Sequence, residues 1–223
     1  MGLWRSVARF LPTSTNRFRR AANRFVDDTL RPEIIRQIEQ IPGCLNVEQG
    51  SLLCYLVAHP PGPGRIVEIG SFMGRSTVWL ACGARHAGQG RVLSIDPHAG
   101  HERPAVRPDL DPYEAFLANV RQAGVADQVE PIRDTSQNVA RRWNDPIRLL
   151  WIDGSHAYDD VLADLEGFAR HVIPGGHVAL HDTRGRGFPG VRKAMLEYFG
   201  RHAEFRRTVS LHNMTVYLRF RGL

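Results

Sequence analysis

The stretch Arg65–Ala81, RIVEIGSFMGRSTVWLA, opens as a short apolar run, breaks on two glycines four residues apart, and continues with helix formers. It reads as a strand, a tight turn and the start of a helix. In parallel α/β sheets a ligand binds beyond the carboxyl ends of the strands, so this turn is a candidate site. Gly70 can take a backbone conformation closed to other residues, and Gly74 removes a side chain where a ligand would approach the helix start. The spacing is G-x-x-x-G, whereas nicotinamide and flavin sites hold a pyrophosphate with G-x-G-x-x-G. A pyrophosphate is therefore not the expected guest, which argues against a nicotinamide-dependent reductase.

Outward from this unit the pattern repeats. Apolar runs of strand length fall at 65–69, 91–95, 128–132, 147–152 and 176–181, and stretches with helical period at 75–87, 112–123, 135–143, 158–172 and 190–201. Strand and helix alternating five times predict an α/β fold with a parallel, Rossmann-like sheet covered on both faces. FRRTVSLHNMTVYLRF holds two strands around His212 and Asn213 with no helix between them, predicting an antiparallel hairpin at the sheet edge. Ahead of Arg65, PEIIRQIEQI and NVEQGSLLCYLVAHP have apolar residues at helical spacing. The expected organisation is an N-terminal extension, 1–30, and one domain, 31–223, whose first part, 31–60, is a helical cap.

The net charge of +6 invites a nucleic-acid reading, but its location does not support one. Residues 1–26 carry six arginines and no acid; the 23 other basic residues balance the 23 acids. A neutral body lacks the clustered positive face that binds phosphates, so no nucleic-acid partner is expected. Within that basic start, Leu3, Trp4, Val7 and Phe10 form one apolar stripe and Phe18, Ala21, Ala22 and Phe25 another. Three readings stay open: a peripheral membrane anchor, a transit peptide, or a packing arm that serves the fold or a homo-oligomer contact. No apolar run approaches the roughly 18 to 20 residues that span a bilayer. Cys44, Cys54 and Cys82 form neither a disulfide framework nor a metal pattern, and are expected as buried thiols in a cytoplasmic protein.

The second strand ends VLSIDPH, so Asp96 is positioned to accept hydrogen bonds from both hydroxyls of a ribose. After the third strand, Asp134, Ser136 and Gln137 in RDTSQNVA either cap the next helix or contact an adenine ring. Taken together, VEIGSFMGRST, LSIDP and DTSQNVA resemble the class I S-adenosylmethionine-dependent methyltransferases. The likeness is to small O-methyltransferases of the catechol type and the macrocin O-methyltransferase and cephalosporin-hydroxylase-like group, and it runs from about Gly50 to Phe220. The resemblance implies a seven-stranded sheet closed by the edge hairpin. It places Glu68 and Gly70 against the methionine part of S-adenosylmethionine, with Ser71, Gly74 and Ser76 in the same turn. Asp96 would then hold the ribose, Ser136 and Gln137 would lie near the adenine, and Asp134 and Asp153 would complete the cofactor site.

The fourth strand ends LLWIDGSHAYDD and the fifth HVALHDTRGRG. If the sheet order follows the resemblance, Asp153 and Asp182 emerge side by side, which suits Mg²⁺ or another divalent cation. His156 stands where catechol-type relatives carry the residue that removes the hydroxyl proton, and an imidazole suits that task. The related metal site ends in Asp-Asn, whereas this chain has His181 and Asp182. His181 either ligates a softer ion or hydrogen-bonds within the fold. The alternatives are a turn cap for Asp153, a surface histidine at 156, and a cofactor-binding scaffold without activity. Asp159, Asp160 and Asp164 are expected as solvated acids that complement a helix dipole. Two loops, His98–Pro112 with His98 and His101, and TRGRGFPG, are candidate lids over a small hydroxylated acceptor such as a sugar or secondary metabolite.

Overall fold

The computed structural model describes residues 15–99, 111–185 and 187–220. Among these, seven strands form one sheet: β1 Arg65–Ile69, β2 Val92–Ile95, β3 Val129–Ile132, β4 Ile147–Ile152, β5 Val172–Leu180, β6 Phe205–Leu211 and β7 Met214–Arg219. Their spatial order is β3-β2-β1-β4-β5-β7-β6. The first five pair in parallel and β7 runs antiparallel to both β5 and β6. Strand order reverses between β1 and β4, and that switch opens a crevice at their carboxyl ends. The helices are α1 Thr15–Thr29, α2 Pro32–Gln40, α3 Val47–Ala58, α4 Arg75–Ala87, α5 Pro112–Gln122, α6 Ser136–Ala140, α7 Tyr158–Phe168 and α8 Pro189–Arg201.

Alternate residues of the central strands feed two cores. Ile66, Leu149 and Trp151 face a cluster with Trp79, Leu53 and Phe116, while Val67, Leu150 and Ile152 face one with Leu165, Phe168 and Val191. Burial on both faces explains why β1 and β4 read as unbroken apolar runs. Two boundaries differ from the sequence expectation. The helical period read to 172 ends at Phe168, where a 3-10 turn over Ala169–His171 leads into a fifth strand that begins at Val172. The helix expected over 135–143 is only Ser136–Ala140, with the Thr135 hydroxyl accepting from Asn138 N at its start.

The basic start divides at the edge of the described residues. The first apolar stripe, at Leu3–Phe10, lies outside them. Of the second, α1 buries Phe18 and Ala22, together with Val26, in the same cluster as Ile38, Leu52 and Val209, and Thr15 Oγ1 accepts from Ser210 N at 3.2 Å. The apolar side of α1 is thus occupied by the domain itself, and Arg17, Arg20 and Arg24 face solvent. No helix among the described residues is long and apolar enough to cross a membrane. Cys54 and Cys82 are buried as expected; Cys44 is exposed, because it sits in the loop between α2 and α3.

Candidate active site

A cavity of about 930 Å³ lies at the carboxyl ends of β1 to β5. Its floor is the glycine turn. Gly70 has φ +82°, and a Cβ there would fall 2.4 Å from Asp153 O and from Gly154 Cα, so a side chain would push the end of β4 away. Glycine is required by the neighbouring strand, in addition to whatever the cavity holds. Gly74, at φ +93°, starts α4, and a Cβ would meet the Phe116 ring at 3.2 Å. The need for glycine at 74 comes from backbone conformation and from α5, and Gly74 is not part of the cavity wall.

Asp96 ties the turn together. Its Oδ2 accepts from Ser71 N at 2.8 Å and Phe72 N at 2.9 Å, and its Oδ1 accepts from His98 N at 2.8 Å. A carboxylate offers about four acceptor positions, so one remains toward the cavity. Glu68 is the clearest departure from expectation. It is fully buried beneath the turn, accepting from Ser76 Oγ at 2.5 Å, Thr77 Oγ1 at 2.6 Å and Ser94 Oγ at 2.8 Å, and it does not reach the cavity. Burial pushes its carboxyl up to about 7 against the pull of the three hydroxyls. Ser76, whose hydroxyl Glu68 holds, does line the cavity, as do Gly70 and Ser71.

Beyond β3, Ser136 and Gln137 line the cavity, but Asp134 turns outward to Thr135 N, Asn138 and Arg142. It is a helix-start residue, held by its local bonds. Asp164 corrects the sequence reading in the other direction. It is 3% exposed, lines the cavity and accepts from Ser136 Oγ at 2.5 Å. It lies two turns into α7, on the face turned to the sheet, so it is no first-turn acid. Asp160 also lines the cavity and accepts from Ser155 Oγ at 2.7 Å, leaving only Asp159 of the three fully outside.

At the ends of β4 and β5, Asp153, His156, His181 and Asp182 converge. His181 Nδ1 lies 3.2 Å from Asp153 Oδ1 and 3.3 Å from Asp182 Oδ2, yet neither ring nitrogen makes a well-directed hydrogen bond. Burial alone would lower the imidazole pKa; the carboxylates of Asp153 and Asp182 outweigh it and raise the value. His156 Nε2 is 3.1 Å from Asp182 Oδ2, and its ring stacks on Phe188 at 3.8 Å. Burial would raise the Asp182 carboxyl, but hydrogen bonds from His156 and Asn213 and the imidazole of His181 beside it hold it below the usual range. Asp153 moves the opposite way, raised by burial despite His181. Asp182 itself has φ +51°, a strained value for a residue with a side chain. Asn213 Nδ2 donates to its Oδ1 at 2.7 Å, and Gln49 Nε2 donates to Asn213 Oδ1 at 2.6 Å.

The chemistry of these groups fits a cation. Asp153, His181 and Asp182 offer two carboxylates and an imidazole whose ligand atoms all lie within 4.8 Å of one another. The buried imidazole nitrogen aimed between two carboxylates, without a good hydrogen bond, is what a ligating histidine presents.

Two wall features escaped sequence reasoning. Arg75 donates to Glu39 O at 2.7 Å, Ile41 O at 2.6 Å and Leu45 O at 3.0 Å, pinning the loop whose residues Pro42–Leu45 form one side of the cavity. Phe188, at the start of α8, forms another side. Of the proposed lids, His98 is buried against Tyr113 and Phe116, while His101 lies outside the described residues.

A methyltransferase domain family profile matches residues 67–183, the span that runs from the first strand through both acidic strand ends. The chain belongs to this methyltransferase family. It is 35% identical over 113 residues to catechol O-methyltransferase of Mycobacterium tuberculosis; the match covers 49% of this chain and 44% of that relative. The fold is similar to that of the O-methyltransferase TomG from Streptomyces achromogenes, solved with S-adenosylmethionine (TM-score 0.62, 20% identity, 93% of this chain and 99% of that one). It is also similar to an O-methyltransferase from Bacillus cereus solved with S-adenosylhomocysteine (TM-score 0.60, 21% identity, 89% and 97%).

Proposed function

We propose that the protein is an S-adenosylmethionine-dependent O-methyltransferase acting on a small hydroxylated acceptor, such as a sugar or a secondary metabolite. The observation that carries this reading is one cavity joining the Gly70–Ser71 turn, Asp96 and Ser136–Gln137 to the Asp153, His156, His181 and Asp182 group. The first set suits a nucleoside carrying an amino acid; the second suits a hydroxyl that must lose a proton. Identity to a catechol O-methyltransferase across half the chain supports oxygen as the methylated atom.

In this reading the turn Gly70–Phe72 holds the donor, and the remaining acceptor position of Asp96 takes a ribose hydroxyl. Asp153, His181 and Asp182 would hold a divalent cation. Such an ion lowers the pKa of a hydroxyl bound to it. An imidazole ligand suits a transition ion such as Fe²⁺ or Zn²⁺ better than it suits Mg²⁺, whereas the two carboxylates suit Mg²⁺ or Mn²⁺. When His156 donates its Nε2 proton to Asp182, Nδ1 is the basic nitrogen, and it takes the proton of the acceptor oxygen as that oxygen gains the methyl group. Phe188 fixes the ring by stacking. Positioning supplies most of the rest, because a sulfonium methyl is already activated.

Calorimetric titration with S-adenosylhomocysteine and with NADH separates a methyl donor site from a dinucleotide site. Clear binding of NADH and none of the homocysteine nucleoside would sink the proposal. A screen of hydroxylated metabolites, with Mn²⁺, with Mg²⁺ and with chelator, then tests the reaction. Turnover is expected to stop with chelator and to return with metal, and metal-independent turnover would remove the cation from the mechanism.

A further inference from the structure

We infer that Gln49 and Asn213 are positioning residues, a relay of two side-chain amides that fixes which oxygen of Asp182 faces the cavity and so sets the cation affinity of the Asp153, His181 and Asp182 group. This rests on the reading of that group as a cation site. Neither amide lines the cavity, and they come from distant parts of the chain, the first turn of α3 and the turn between β6 and β7. They are joined in series. Asn46 N donates to Gln49 Oε1 at 3.1 Å, Gln49 Nε2 donates to Asn213 Oδ1 at 2.6 Å, and Asn213 Nδ2 donates to Asp182 Oδ1 at 2.7 Å.

The direction of the relay is forced from both ends. A backbone N–H can only donate, so the capping box at Asn46 turns the Gln49 oxygen toward the helix start and its NH₂ toward Asn213. That NH₂ takes the Asn213 oxygen, which leaves the Asn213 NH₂ for Asp182, and an ionised carboxylate can only accept. Each bond uses a separate hydrogen. Gln49 is 1% exposed, and turning its amide over would set donor against donor at Asn46 and acceptor against acceptor at Asn213. The backbone of Asn213 is held as well, since its carbonyl accepts from Thr183 N at 2.9 Å and from Thr183 Oγ1 at 3.0 Å. With Oδ1 of Asp182 occupied, Oδ2 is the oxygen that faces His156 at 3.1 Å and His181 at 3.3 Å. Partners that orient a metal ligand in this way contribute about 10- to 100-fold in metal affinity.

Titration of the full chain with Mn²⁺, followed by the electron paramagnetic resonance signal of the free ion, reads the relay without any turnover. Ion affinity of the folded protein is a quantity that a role in capping α3 alone would not move. Wild type is expected to bind the ion, Asn213→Leu to bind it about 10- to 100-fold more weakly, and Gln49→Met to lose about tenfold, the lower end of the same range. The double variant should match Asn213→Leu, because a series link already cut at Asn213 has nothing left to lose at Gln49. Losses that multiply in the double variant would overturn the inference, since they would mean two independent effects. A folded Gln49→Met protein that binds Mn²⁺ as tightly as wild type would also overturn it while leaving the cation reading intact, and this arm stands even where Asn213→Leu does not fold. Absence of Mn²⁺ binding by wild type would overturn the cation reading and this inference with it.

Discussion

Replacing Asp96 by Asn tests whether one carboxylate builds the turn as well as binding the donor. Oδ2 accepts two backbone N–H groups and Oδ1 a third, all between 2.8 and 2.9 Å. An amide keeps one acceptor. If its oxygen faces Ser71 and Phe72, its NH₂ meets the N–H of His98, donor against donor; if it flips, two bonds are lost instead. Losing a hydrogen bond to a charged group costs about 1.5 to 3 kcal/mol, so unfolding free energy should fall by about 2 to 3 kcal/mol in the better orientation. Affinity for S-adenosylhomocysteine should fall about ten- to a hundredfold, because the turn loosens and the ribose loses its anionic acceptor. Urea unfolding followed by circular dichroism gives the first quantity and calorimetry the second. A variant whose stability stays within about 0.5 kcal/mol of wild type would refute the structural role. A stable variant with lost affinity would confine Asp96 to the ligand alone.

His177 gives a pH signature. It is buried in β5, neither ring nitrogen has a partner among the described residues, and burial lowers its pKa to about 4. The unfolded chain therefore binds more protons between about pH 6.5 and 4, so stability falls on acidification through that window, by about 2 kcal/mol at pH 5 from this group. Urea unfolding at pH 7.5 and 5 should show a smaller acid loss in His177→Leu than in wild type; equal losses would refute it. Glu68 and Asp164 act in the opposite sense, but they are common to both proteins and cancel in the comparison. Gly70→Ala should destabilise by about 3 kcal/mol, combining a left-handed backbone with the clash at Asp153, and a change below about 1 kcal/mol in the same unfolding assay would show that β4 can give way. Phe18→Ala should cost about 3 to 5 kcal/mol if α1 belongs to the core, whereas an unchanged urea midpoint would return α1 to the status of an appendage. Anionic-vesicle co-sedimentation of the full chain against one starting at Thr15 addresses the first fourteen residues without disturbing that core, and equal behaviour would dismiss a membrane anchor there.

The sheet was legible because its signal is periodic and local. Five apolar runs separated by helical stretches leave few architectures, and a hairpin without a helix must lie at an edge. The ends of the strands were legible too, since Gly70, Asp96, Asp153 and Asp182 each follow an apolar run directly. What local pattern cannot carry is the direction a side chain takes once helices pack. Glu68 and Asp96 both lie in or just beyond a strand, yet pleating turns Glu68 under α4 while Asp96 faces the turn. Asp164 looked like one of three acids in a polar helix start; only the contact with Ser136, 28 residues earlier, shows its burial. Arg75 had no distinguishing sequence context, because its partners are backbone carbonyls.

The support of Asp182 by Asn213 and Gln49 has a consequence for synthesis on the ribosome. Gln49 and Asn213 are 164 residues apart, and Asn213 sits in the turn between the last two strands. The strained aspartate can therefore reach its working orientation only after the final hairpin has been made and inserted beside β5. A nascent chain that ends ahead of the hairpin lacks this clamp together with Val209, Leu211, Met214 and Val216, the part of the core against which α1 packs, so the support of Asp182 and the seat of the first helix are completed in the same last step of synthesis.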